Sequence, residues 1–211
     1  MEKLLVGIMC LFALSGCQES GSDGAAGPGV FYAENTIRAK IFVSDIPETI
    51  TLDHEEAEDT TAEYIWRVTF DVNQDGIVGA GDLVFQISEA KYAGEVERIV
   101  KLTDLEASLL RHEDENSLVR QAVIDFEVDN TGIAFIVDRS LHENLKDISL
   151  TTQVNVEVYK NIPSQLSIDY LPDSQTFTQL QSTASVSDDM MDYYGDDAGS
   201  DISKFTLEIF E

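Results

Sequence analysis

Cysteine is almost absent. The 211 residues contain two, Cys10 and Cys17, and none follows. Everything beyond residue 17 must therefore hold together without a disulfide, by core burial and whatever help a bound metal gives. Histidine is scarce as well. His54, His112 and His142 each sit beside an acid, no two stand at metal-ligand spacing, and all three read as surface groups. Basic residues number 13 against 40 acidic ones, a net charge of −27. A chain this acidic repels nucleic acid and anionic lipid headgroups, attracts divalent cations and tolerates salt. The chain lacks a His-Glu-x-x-His pair, a Gly-x-Ser-x-Gly elbow and a phosphate-cradling glycine loop, so nothing supports zinc, acyl-transfer or nucleotide chemistry. Paired carboxylates for glycoside hydrolysis carry no weight where acids are this dense. The sequence reads as non-enzymatic.

Long apolar runs are missing too. The longest, Leu4 to Leu14, is too short to span a bilayer as a helix and suits the core of a signal peptide. Leu14-Ser15-Gly16-Cys17 follows at once. This stretch resembles a bacterial lipobox, with a thin positive segment of Lys3 beside Glu2. The resemblance implies a signal peptide over 1–16, cleavage before Cys17, lipidation of the Cys17 thiol and attachment to a membrane. Two or more acyl chains hold a protein stably where one does not. Gln18, in place of an Asp, implies outer-membrane placement by likeness to Gram-negative lipoproteins. Residues 17–30 then form the lipidated Cys and a Gly-rich tether, whose mean reach is roughly 20 Å.

Residues 31–211 read as one domain, and the dominant period in it is two. Tyr64, Trp66, Val68 and Phe70 share one face of a strand, so Trp66 is expected in the core rather than as a sugar-stacking platform. Ala122, Ile124, Phe126 and Val128 alternate in the same way, Asp129 to Gly132 is a turn signal, and 119–137 reads as a hairpin. Further strands are expected at 36–43, 148–159, 166–170, 175–180 and 203–210. Thr103 to Glu106 has a capping-box pattern leading into 107–112, which predicts either a short helix or a turn between strands. Ser140 to Leu145 could make one helical turn. Together these predict an all-β, antiparallel β-sandwich with one or two short helices. Residues 182–201 stand apart as an acidic loop. Asp188, Asp189, Asp192, Asp196, Asp197 and Asp201 crowd it beside Tyr193 and Tyr194, and it reads as a solvated loop or a second, weaker cation site.

At one place spacing dictates chemistry. Residues 71–82 read Asp-Val-Asn-Gln-Asp-Gly-Ile-Val-Gly-Ala-Gly-Asp. Calcium takes six to eight oxygens, and a tight loop turns alternate residues toward its inside. Asp71, Asn73 and Asp75 would offer side-chain oxygens and Ile77 its backbone carbonyl. A water would fill the vertex at Gly79, and Asp82 would close the loop. Gly76 permits the sharp reversal. Val78 would point away and pack inward. The loop resembles an EF-hand, and within that group one half of a type I dockerin, with Asp at position twelve followed by Leu83. A dockerin carries two such loops, each followed by a helix. Here a single loop is preceded by an alternating strand and followed by Leu83, Phe85 and Ile87 on one face. The expected arrangement is strand–loop–strand with a structural Ca2+, which argues against a cohesin partner. The Trp-bearing strand, acidic loop and following hairpin also resemble in pattern the β-sandwiches of family 9 carbohydrate-binding modules and DOMON domains. That likeness implies a glycan as an alternative partner to an envelope protein.

Overall fold

The computed structural model describes residues 32–53, 62–91, 97–114, 116–162, 165–172, 176–180, 185–187 and 201–211. The signal segment, Cys17, the tether, His54 and the acidic run 188–200 with both its tyrosines lie outside the described residues. The strands are β1 (Thr36–Val43), β2 (Thr49–Asp53), β3 (Ala62–Phe70), β4 (Leu83–Lys91), β5 (Glu97–Lys101), β6 (Ala107–His112), β7 (Leu118–Asp129), β8 (Gly132–Asp138), β9 (Gln153–Ile162), β10 (Gln165–Leu171), β11 (Thr178–Gln179), β12 (Ser185–Ser187) and β13 (Ile202–Phe210). Every pairing is antiparallel, and one eleven-stranded sheet runs β10-β9-β3-β4-β6-β7-β8-β1-β13-β12, with β11 added beside β9. β2 and β5 form a separate pair.

The all-β expectation holds. Its two layers are a single sheet curled on itself. Three sheet steps separate β4 from β8, about 14 Å in a flat sheet, yet the rings of Phe85 and Phe135 lie 6.0 Å apart. The ends nearly meet as well. β10 and β13 stand eight steps apart, roughly 38 Å if flat, but the Asp169 carboxylate accepts a hydrogen bond from the Ile202 N–H at 2.6 Å. Right-handed strand twist carries a large sheet toward this kind of closure. Inside lie the faces that the alternation predicted. Trp66, Val68, Phe70, Phe85, Ile133, Phe135, Val137, Phe205 and Leu207 are all buried in one cluster.

One open alternative is decided and two expectations change. The capping-box segment is not an α-helix. Leu102–Asp104 is a single 3₁₀ turn and residues 107–112 are β6, the turn-between-strands alternative. The strand expected from 148 begins only at Gln153, because the hydroxyls of Ser149 and Thr152 bond locally to the backbone and compete with the ladder. Within 182–201, Ser185–Ser187 pairs with β13 as a short edge strand. The 140–145 expectation is met by a 3₁₀ turn at Glu143–Lys146.

Candidate metal loop and an adjoining cleft

Loop 71–82 joins β3 to β4, as strand–loop–strand. Its shape follows from where it must reverse. Gly76 has φ +77° and Gly81 φ +102°, the left-handed region where only glycine is unstrained. Gln74 also adopts φ 62°, which its residue type gave no reason to expect. Both ends of the loop are tied to the sheet. The Asp71 N–H donates to the Gln153 carbonyl at 3.0 Å, Gly81 N–H to the His112 carbonyl at 2.9 Å, and His112 N–H to the Asp82 carbonyl at 3.0 Å. Ile77 forms a bridge with Thr176.

Each expected ligand can be located. Asp71 is buried, and its two oxygens accept from the N–H groups of Asp75 and Gly76, both at 3.2 Å. Asn73 accepts from Asp75 N–H at 3.0 Å and donates to the Ala80 carbonyl at 2.9 Å and the Asp75 carboxylate at 3.1 Å. Asp75 accepts from Ile77 N–H at 2.9 Å. Ile77 itself is exposed, and Val78 is half-buried.

Asp82 differs from the rest. It is fully buried, one oxygen accepts from Gly79 N–H at 2.9 Å, and the other has no hydrogen-bond partner. Burial drives its carboxyl up to about 7; the Gly79 N–H works against this, while the charges of Asp71 and Asp75 add to it. The Val72 N–H also eases the charge from nearby, although its own hydrogen bond goes to the Phe70 carbonyl at 2.9 Å. An unpartnered buried carboxylate oxygen in the field of two other carboxylates is expensive without a cation. The loop therefore fits a hard divalent ion. Among the described residues no three acidic, histidine or cysteine side chains converge as a metal cage. Asp71 and Asp75 instead collect backbone N–H groups.

His112 is a correction. It was expected at the surface, but it is 6% exposed and its Nε2 has no partner. Burial lowers its pKa. The acids that follow it, Glu113 and Asp114, are exposed and disguise the burial. His142 is half-buried, and its Nδ1 accepts from Asn144 N–H at the start of the 3₁₀ turn. Trp66 lies in the core, stacked on Tyr64 at 4.1 Å, and offers no platform to a sugar.

Sequence reasoning missed the loop's neighbour. A cleft of about 420 Å³ opens beside it, with Asp71, Asp75 and Gly76 on one side and Asp147, Ser149, Thr151 and Thr152 on the other. Arg139 shapes the second wall by donating to the carbonyls of Leu145 (3.3 Å), Lys146 (2.8 Å) and Ile148 (3.3 Å). Ser149 Oγ lies 2.9 Å from Thr151 Oγ1, so the hydroxyls are held before any ligand arrives. The Ser-x-Thr-Thr run after Ile148 was the available signal, since its polarity interrupts the strand pattern. No protein-family model, curated protein or solved structure matches the chain.

Proposed function

We propose that the chain is a lipid-anchored, calcium-binding protein of the bacterial cell envelope, and that it acts as a non-enzymatic binding or assembly module in which Ca2+ is structural. The observation that carries the calcium reading is Asp82, a buried carboxylate at loop position twelve with one oxygen lacking a partner. Asp71, Asn73, Asp75, Asp82 and the Ile77 carbonyl would hold the ion. It would supply positive charge beside the buried Asp82 carboxylate and fix the β3–β4 connection. Lipidation of Cys17 would hold the protein on the membrane, by resemblance in the outer one. Thermal unfolding in chelator, in calcium and in magnesium tests the metal. At calcium about 100-fold above Kd, binding adds about 2.7 kcal/mol. A calcium-selective rise in Tm is expected, and no rise overturns the reading.

A second reading, a carbohydrate-binding module displayed on the membrane, is favoured by the cleft. Among the described residues, its lining of hydroxyls, amides and carboxylates includes no lysine or arginine. That composition suits a neutral polyol better than an anion. Nuclear magnetic resonance titration with neutral disaccharides, following the Ser149–Gln153 amides, separates the two readings.

A further inference from the structure

We propose that the end of the sheet carrying loop 71–82 docks on a zwitterionic phospholipid surface, with Ile77 and Leu150 as the tips that meet it; this rests on the lipid-anchor reading of Cys17. The argument begins with strand direction. Because every pairing along the sheet is antiparallel, the starts of β1, β4, β7 and β9 and the finishes of β3, β6 and β8 lie at one end. Loop 71–82, segment 139–152 and the point where the chain enters β1 at Thr36 therefore share that end. Residues 18–31 connect Cys17 to this entry point, and chain geometry limits them to roughly 50 Å at full extension.

The same end carries the exposed aliphatic side chains. Six large hydrophobics are exposed among the described residues, and four of them are here: Ile77 at 64%, Leu150 at 49%, Leu141 at 44% and Val119 at 38%. Exposed apolar residues scattered singly need no explanation. Concentration at the end where a lipid-bearing segment joins does need one. Ile77 follows Gly76, and Leu150 lies between Ser149 and Thr151, so the two stand on opposite lips of the polar cleft. Arg139 holds the Leu141–Leu150 segment in shape through its three carbonyl contacts. Between the lips, the exposed carboxylates of Asp75 and Asp147 stand in a lining that, among the described residues, holds no lysine or arginine. This charge repels phosphatidylglycerol and accepts the ammonium of a zwitterionic headgroup, which fixes the class of surface.

The test uses the full-length lipidated chain on phosphatidylcholine vesicles in millimolar calcium. Single-cysteine variants Ile77→Cys, Leu150→Cys and, at the opposite end, Asn130→Cys carry an environment-sensitive fluorophore. All three positions are exposed; because Ile77 would hold the ion through its backbone carbonyl, thermal unfolding of each labelled variant in calcium is the folding control. Spin-labelled lipid should quench the probes at 77 and 150 several-fold more than the probe at 130. Equal quenching at all three sites, in a chain that floats with the vesicles, overturns the docking and leaves the anchor intact. A blue shift at 77 and 150 without lipid quenching means that protein, a second copy included, covers the tips, and also overturns it. A chain that does not float overturns the anchor reading and the docking with it.

Discussion

The Asp169 side chain reaches across the seam of the sheet and accepts the Ile202 N–H at 2.6 Å, in a place where both residues are buried. This bond joins β10 to β13, near the two ends of the strand path. Removing the acceptor leaves a buried N–H unsatisfied, which costs about 1–3 kcal/mol. Asp169→Ala should lower the unfolding free energy measured in urea by that amount, and Asp169→Asn, which keeps an acceptor oxygen, by distinctly less. Equal losses in the two variants would show that the bond is not what holds the seam.

Asp82 gives loop 71–82 a pH signature. Without a cation its folded-state pKa of about 7 lies above the unfolded value, about 3.9. Its contribution to stability is therefore complete below about pH 4 and gone once the pH has risen through 7. Chelated protein should lose stability across that window, and Asp82→Asn should flatten the loss. Calcium needs the carboxylate, so the stabilisation it brings should grow with pH over the same range. Unfolding scans from pH 4 to 8, with calcium and with chelator, measure both slopes.

Lys40 is nearly buried, and its ammonium reaches Asp129 at 2.5 Å and Thr131 at 2.7 Å beneath the β7–β8 turn. Burial pushes the Asp129 carboxyl up, but the hydrogen bonds from Lys40 and Thr131 prevail and hold it at about 2. A depressed carboxylate contributes stability that is present above the unfolded pKa and lost as the pH falls from about 4 to about 2. Since the Asp129 side chain is 52% exposed, screening reduces the gain to about 1 kcal/mol. Asp129→Asn should cost that much at pH 5 and almost nothing at pH 2. Lys40→Met should do more harm at pH 5 than Asp129→Asn, because it also removes the ammonium from above the Phe42 ring, 4.5 Å from its centroid.

Gly132 opens β8 where β1 crosses close beside it. A Cβ there would lie 1.9 Å from the Ile41 carbonyl oxygen and 2.9 Å from the Phe42 Cα. Backbone on both sides leaves no flexible group to give way. Gly132→Ala should cost about 3 kcal/mol, the upper end of the overpacking range, and hydrogen exchange should quicken in β1 and β8 before other strands. A neutral outcome would mean that the two strands can separate without loss.

What the sequence made legible is the strand in which every second residue is apolar. In β3, β7 and β13 the residues assigned inward, Trp66, Val68, Phe70, Ile124, Phe205 and Leu207, lie in the core, while β8 was read as a short buried run and is buried but for Ile136 and Asp138. β6 was ambiguous because Ala107, Leu109, Leu110 and His112 are buried on both faces and leave no alternation to read. The Thr103–Glu106 pattern mimics a helix start because a capping box and a 3₁₀ turn use the same residue types. The turn in loop 71–82 was legible because its glycine at 76 is set by backbone reversal, which is local. The cleft was not, since Asp75 and Thr151 face each other only after β3, β4 and β9 have paired. The orphan oxygen of Asp82 was equally hidden, because burial belongs to the whole molecule.

The position of β1 between β8 and β13 has a kinetic consequence. Its outer partner lies far along the chain: Arg38 pairs with Glu208, 170 positions away. As the chain leaves the ribosome, or emerges across a membrane, β1 keeps one hydrogen-bonding edge open until β13 arrives. Closing a loop of that length is slow relative to local hairpins such as β7–β8. Collapse should therefore begin at the hairpins, with the β1–β13 seam zipping last. During that interval the bare edge of β1 is the part of the nascent chain most exposed to pairing with the wrong neighbour.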